Sequence, residues 1–524
     1  MARFNNAGVR ATGRPKDVVK GATVNHQGAP AFGHGLRGEL YSLAAVNLVG
    51  QDTFHEKGTS RDARYNNLVE LHAVGDWEWL RGLLRWLRSD ANIRTASLTG
   101  AAHAVSARLK AGQHDGNAEL IDSVIQRGEE ITEFLAYWQL TFGRALPNAV
   151  RAGLGMAIRR LFTERNVLKW DSDARGLRFA DVLELVHPKP RTERGEGDWQ
   201  GALFKYLLDE RHHGDGDIST VPMIAARKRW YGLDDQRKLA SLADGSAFTD
   251  AGITWENAVS DLKARVGAKK VWDAMAPHLP YMAALRNLRN MDEAGIDPKR
   301  ARALADRLAD PAEVAKSRQF PFRFYTAYRE APSDRWKQAL DDAINSSLKS
   351  VPELPGRTLV LIDTSASMTY TKMSQKSTVM MSEVASIFGV TLAQRNQGRV
   401  DLFGFADSEF RHNVKPGQGV LSAARDFVQR TGEVGHGTNI SGAIRNRLDG
   451  HDRVFVISDM QCRVGSLPVP DGVKLYGVSP VGYASTVIDT RLKGWYEFGG
   501  LTDQVFAQVL ALEAGYDEKW PWLT

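Results

Sequence analysis

The run Leu359-Val360-Leu361-Ile362-Asp363-Thr364-Ser365-Ala366-Ser367-Met368 is an apolar segment that passes straight into Asp-x-Ser-x-Ser. A short apolar run followed by turn-forming polar residues reads as a strand buried on both faces, the kind found in parallel sheets. In open α/β sheets ligands bind beyond the carboxyl ends of the strands, where this loop would lie. Asp363, Ser365 and Ser367 then offer three hard oxygens to one cation. Mg²⁺ suits such a set, because it takes oxygen ligands and keeps several of its own waters.

The sequence on the C-terminal side has the same grammar. It predicts a strand over Arg357 to Asp363, a helix over Met373 to Arg395 and a strand over Val400 to Phe405. Helices over Leu421 to Arg430 and Ile440 to Arg447, strands over Arg453 to Ser458 and Val473 to Val478, and a helix over Thr502 to Glu513 follow. Apolar strands alternating with helices argue for a parallel sheet covered on both faces, here an α/β domain over residues 356–524. Two further oxygen donors sit at loop positions, Thr438 in Gly435-His436-Gly437-Thr438-Asn439 and Asp459 after Val454-Phe455-Val456-Ile457-Ser458. Val351-Pro352-Glu353-Leu354-Pro355-Gly356 reads as a linker.

Upstream, residues 39–355 form a succession of amphipathic segments with apolar residues three and four apart. Examples are Trp77 to Leu87, Pro147 to Phe162, Phe179 to Val186, Trp199 to Leu208, Pro280 to Met291 and Trp336 to Leu348. Helices of this length joined by short turns suit a HEAT-type stack, although no clean residue-level repeat is visible. Residues 1–38 show no periodicity and read as a flexible basic arm. The chain carries a net charge of +6. The arm holds six basic residues and one acidic, whereas residues 356–524 hold 17 of each. Any polyanion surface on the helical part must therefore be a local patch.

Hydrophobic residues make up 43% and charged residues 25%, an ordinary globular composition. One cysteine, Cys462, excludes an intrachain disulfide and paired-thiolate zinc sites, and points to a cytoplasmic setting. No run reaches the roughly 20 apolar residues needed to span a bilayer. No P-loop is present, His55-Glu56 lacks the second histidine of a zincin helix, and His212-His213 lies in a polar run that reads as a solvated loop. No acidic cluster resembles a two-metal nuclease, so the chain reads as non-catalytic.

The strand, the Asp-x-Ser-x-Ser loop, the Gly-rich loop and Asp459 together resemble the von Willebrand factor A domain, a Rossmann-like fold, with its metal-ion-dependent adhesion site. That resemblance assigns Asp363, Ser365, Ser367, Thr438 and Asp459 as metal ligands, with Mg²⁺ or another divalent cation as cofactor and a partner's oxygen completing the shell. A mainly α-helical unit of some 300 residues ahead of such a domain is similar to the layout of the Ro family, the TROVE-module RNA-binding proteins. Local echoes are Asp181 to Pro190, Ala284 to Met291 and Phe320-Pro321-Phe322-Arg323. The resemblance implies a HEAT-repeat-like ring over residues 39–355 closed by the metal-site domain. It implies a monomer that binds small noncoding Y-like RNA and single-stranded ends of misfolded RNA in quality control. A 3′ exoribonuclease such as polynucleotide phosphorylase is the implied protein partner. His187 and Lys189 match the family's RNA-contacting motif, and Arg159, Arg160 and Lys169 lie on nearby segments. Asp171 and Asp173 in the same region would repel phosphate. The alternative is a metal-dependent protein–protein interaction scaffold that uses no RNA.

Overall fold

The computed structural model describes residues 22–26, 30–33, 35–46, 52–53, 55–172, 176–191, 198–317, 319, 321–331, 333–347, 351, 353–372, 379–462, 467–500, 504–513 and 520–523. From Gly35–Val46 to Lys337–Ser347 the regular structure is helical. The Trp77–Ser89 helix shows why: Trp79, Leu80, Leu83, Leu84, Trp86 and Leu87 all fall on its buried side. Helices pack on near neighbours in sequence, Gly58–Gly75 on Arg94–Lys110 and Asn117–Val124 on Asn148–Leu161. Such local packing is what a stack of helix pairs requires. No helix among the described residues is long and apolar enough to cross a membrane.

The strands are β1 (Ala22–Val24), β2 (Pro30–Gly33), β3 (Thr358–Asp363), β4 (Val400–Phe405), β5 (Glu409–Arg411), β6 (Arg453–Ile457), β7 (Lys474–Ser479), β8 (Ser485–Thr486) and β9 (Trp495–Gly499). The main sheet runs β5-β4-β3-β6-β7-β9, parallel except for β5. Val360 and Ile362 face one apolar cluster while Leu359 and Leu361 face another, the two-sided burial predicted for β3. The chain leaves β3 for β4 on one side and later returns to β6 on the other, so the switch of strand order lies at Asp363.

One expectation needs correction. The flexible arm over residues 1–38 is ordered in part. Strands β1 and β2 pair antiparallel, β2 pairs with β8 of the α/β domain, and the first helix begins at Gly35. Residues 1–21 lie outside the described residues. The linker segment is packed: Val351 and Leu354 are buried, and the Leu354 amide donates to Asn396 Oδ1 at 2.7 Å.

The α/β domain touches both ends of the helical unit, which closes the ring. At the first seam the Gly35–Val46 helix lies on β9. A Cβ on Gly499 would stand 2.6 Å from the Ser42 carbonyl oxygen, so only glycine admits this approach. Arg61, 2% exposed, donates to the Val481 carbonyl, and Arg64 donates to the Gly482 carbonyl at 3.4 Å. At the second seam Tyr325 and Arg329 donate to buried Glu383 at 3.1 and 2.9 Å, and the Leu421 amide donates to Asp341 at 2.9 Å.

Candidate metal centre and basic face

Asp363 ends the central strand, 0% exposed. Its Oδ1 accepts the Ser365 amide at 2.8 Å, and its Oδ2 accepts the Ser458 hydroxyl at 2.5 Å. The Ser365 and Ser367 hydroxyl oxygens stand 3.1 Å apart. Asp459, 2% exposed, accepts the Gln461 amide on Oδ1 at 3.1 Å, and its side chain also bonds Ser367. Its Oδ2 has no hydrogen-bond partner among the described residues, and His55 Nε2 stands 3.9 Å from it. Asp363, Ser365, Ser367 and Asp459 thus converge.

Burial pushes the Asp363 carboxyl up to about 6. Burial, then the Asp363 charge, pushes Asp459 up to about 7. Two buried carboxylates that sense each other, with no Lys or Arg paired to either among the described residues, are costly unless a cation offsets them. The orphaned Oδ2 and the hydroxyl pair fit a hard divalent ion. Among the described residues no group of three or more His, Cys, Asp or Glu side chains could hold a metal, which disfavours a softer site built on such ligands.

Thr438 is half-buried on a loop held beside this site. The His436 carbonyl accepts the Ala366 amide at 3.1 Å, and the Asn439 amide donates to the Ala406 carbonyl at 2.9 Å. Asp407, absent from the sequence reading, fixes the loop by accepting the His436 and Gly437 amides at 3.0 and 3.3 Å. Gly435 has φ +92°, and a Cβ there would strike Asp407. Ser458 was also missed, although it directly precedes Asp459. His55, which fits no zincin helix in the sequence, lies beside Asp459 in the fold.

The proposed RNA-contacting residues separate into two groups. Arg159, Lys169, His187 and Lys189 are exposed, and among the described residues Arg159, Lys169 and Lys189 form no ion pair. The exposed part of the Asn148–Leu161 helix adjoins the His187 segment: a Cβ on Gly155 would stand 4.0 Å from Val186 and Pro188. Buried Gln200 ties the same region by donating to the carbonyls of Ile158, Arg159 and Phe162 and accepting the Arg191 amide at 2.7 Å. His187 adopts φ +51°, and its amide donates to the Leu183 carbonyl at 2.9 Å, so its backbone caps the helix while its side chain reaches solvent.

Arg160 differs, because it bonds the Asp122 carboxylate at 2.7 Å and the Asp122 and Ile125 carbonyls. It is a structural tie. The repulsion expected from Asp171 is offset, since that carboxylate accepts Arg178 at 2.9 Å and the Phe179 amide at 2.8 Å. Asp173 lies outside the described residues. Trp170 is half-buried and flanked by Lys169 at 4.6 Å and Arg127 at 5.0 Å, whereas Trp79 and Trp86 are core. His212 ends a helix, exposed and paired with Glu184.

Residues 250–333 match the TROVE domain family. The chain is also similar to the Deinococcus radiodurans RO (RSR) protein, with a TM-score of 0.61 at 18% identity, over 91% of this chain and 100% of that one. The chain shares the fold of that RO protein. A 77-residue segment is 39% identical to "Telomerase protein component 1" of Mus musculus, and a 77-residue match of the same identity is found in the Rattus norvegicus protein. That segment is 14% of this chain and spans 3% of the length of those relatives. The TROVE match covers the part of the helical unit that leads into the second seam.

Proposed function

We propose that this protein binds RNA as a Ro-type ribonucleoprotein component and acts without catalysing a reaction. The observation that carries this is the TROVE segment set within a closed ring of the Ro fold. Arg159, Lys169, His187 and Lys189 form the candidate phosphate-contacting face. Unpaired cations on an exposed face give salt-dependent affinity with little base specificity. Trp170, flanked by two cations, offers a base a stacking plane. Small noncoding Y-like RNA would lie along this outer face, and single-stranded ends of misfolded RNA would enter the ring. A 3′ exoribonuclease of the polynucleotide phosphorylase type would act on RNA so held.

Mg²⁺ would be held by Asp363, Ser365, Ser367, Thr438 and Asp459, and when bound would supply a positive charge that a partner's carboxylate oxygen can ligate. If the protein were instead a metal-dependent scaffold, Asp363→Ala would abolish its main interaction. On the RNA reading that variant keeps RNA affinity and loses only the Mg²⁺-dependent gain in thermal stability, about 2.7 kcal/mol at 100 times Kd.

Labelled single-stranded RNA, titrated across salt concentrations, tests the proposal. Each phosphate contact contributes about −0.7 to the slope of log K against log salt, so Arg159→Ala with Lys189→Ala should flatten it by about 1.4. Arg160→Ala should leave the slope unchanged. Absence of any RNA shift at low salt sinks the RNA reading.

A further inference from the structure

The third ligand loop of the metal centre, Asp459-Met460-Gln461-Cys462, is held from two sides. Met460 has φ +60°, in the left-handed region that a residue with a side chain disfavours. Such a backbone persists only where its surroundings over-determine it. On the sheet side the restraint is Ser458, whose hydroxyl accepts the Met460 amide at 3.1 Å and donates to Asp363. On the far side it is the buried Gln461. Its main-chain amide donates to Asp459 Oδ1, and its side-chain amide donates to the Asp459 carbonyl at 3.3 Å and to the Ser485 carbonyl of β8 at 2.9 Å.

Further restraints on this loop come from the other end of the chain. The His26 amide donates to Gln461 Oε1 at 2.8 Å, and the buried Asn25 side chain donates to the Cys462 carbonyl at 2.6 Å. Asn25 and His26 directly follow β1, which pairs with β2 and through it with β8. The His26 ring stacks on His55 with centroids 5.1 Å apart, and His55 in turn lies 3.9 Å from Asp459 Oδ2. The loop that carries Asp459 is therefore set partly by residues outside the α/β domain. Outer-shell bonds that orient a ligand carboxylate tune its affinity for the metal.

We propose that Asn25 and His26 are positioning residues of the metal centre, and that cation binding and docking of the β1–β2 hairpin are one linked equilibrium. The hairpin fixes Gln461, Gln461 fixes the Asp459 carboxylate, and that carboxylate meets the cation. By linkage, the factor that docking adds to cation affinity is the factor that the cation adds to docking. The proposal rests on the metal reading given above and not on the basic face around Arg159. It gives the N-terminal segment a part in the metal centre that does not depend on contact with RNA.

Mn²⁺ is the probe, with the free ion measured by electron paramagnetic resonance in titrations of the full-length protein. The wild type should bind Mn²⁺ saturably, and Asp363→Ala should abolish that binding. Asn25→Ala removes the side-chain donor to Cys462, and His26→Pro removes the main-chain donor to Gln461. Each should weaken Mn²⁺ by about tenfold or more, whereas Arg329→Ala at the second seam should leave it unchanged. Hydrogen exchange gives a measurement that needs no hairpin variant. The amides of β1 and β2 should exchange about tenfold more slowly at saturating Mn²⁺ than in EDTA, and Asp363→Ala should erase the difference. Mn²⁺ affinity within about twofold of wild type in both hairpin variants, or hairpin exchange that ignores Mn²⁺, overturns the proposal while the metal reading stands. An equal loss of affinity in Arg329→Ala would trace the effect to general loosening of the fold and overturn it as well. No Mn²⁺ bound by the wild type overturns both the metal reading and the linkage.

Discussion

The two seams that close the ring are built differently. At the second, one apolar cluster runs without a break from Trp230 in the helical unit through Phe324 and Trp336 to Phe388, Phe455 and Phe506 in the α/β domain. At the first, most of the N-terminal helices belong to a second cluster, from Leu40 to Ile224, that takes in Trp520 and Trp522 of the C-terminal tail, and among the described residues of the Gly35–Val46 helix Val46 alone joins the sheet's cluster. There the joint is made by carbonyls meeting glycines, by Arg61 and Arg64 reaching main-chain oxygens, and by Gln508 donating to Tyr41 at 2.6 Å. One seam is a shared interior and the other a docked surface.

The largest expected effect tests the shared interior. Trp336 is 0% exposed and donates to Asp292 at 2.9 Å. Trp336→Ala should cost about 3–5 kcal/mol and lower the melting temperature of the helical and α/β portions together. Two separated transitions in the variant would break the comparison.

Arg61→Ala tests the docked seam. The change removes a buried cation whose partners are the Val481 carbonyl and Glu56, at 3.3 Å. Arg64 still pairs with Glu56 at 2.9 Å when Arg61 is gone, so the cost, about 1–3 kcal/mol, comes from the buried Val481 carbonyl left without its donor. Here the loss should be local. Protease cleavage near the first seam should accelerate well below the melting temperature, while the second seam stays protected. Cleavage that accelerates only as the whole chain melts would show that both seams are parts of one cooperative interior.

The same contrast explains what could be read in advance. Strands β3, β4, β6 and β7 are apolar runs whose burial on both faces is written locally, and they appear close to where the sequence puts them. The pieces at the first seam are short: β1 has three residues and β8 two, and β2 finds β8 across more than 450 positions. Their pairing is decided by docking, which no local pattern encodes. The site divides in the same way. Asp363, Ser365, Ser367 and Asp459 follow from loop spacing at strand ends. His55 and Asp407 come from segments with no motif of their own, and only the folded chain brings them near the ligand loops. Arg160 errs the other way, because its neighbours in sequence are basic and its partner Asp122 lies 38 residues earlier.

The smallest effect sharpens the comparison from the second seam. Arg329 donates to Glu383 yet keeps 31% of its side chain exposed, so solvent screens the pair. The Tyr325 hydroxyl still serves Glu383 when Arg329 is removed. Arg329→Ala should therefore cost about 1 kcal/mol or less in thermal unfolding, with no new cleavage at the second seam. A shared apolar interior does not depend on the ion pair at its margin. A loss comparable to that of Arg61→Ala would mean that charge, not the continuous core, holds the second seam, and the two joints would then be of one kind.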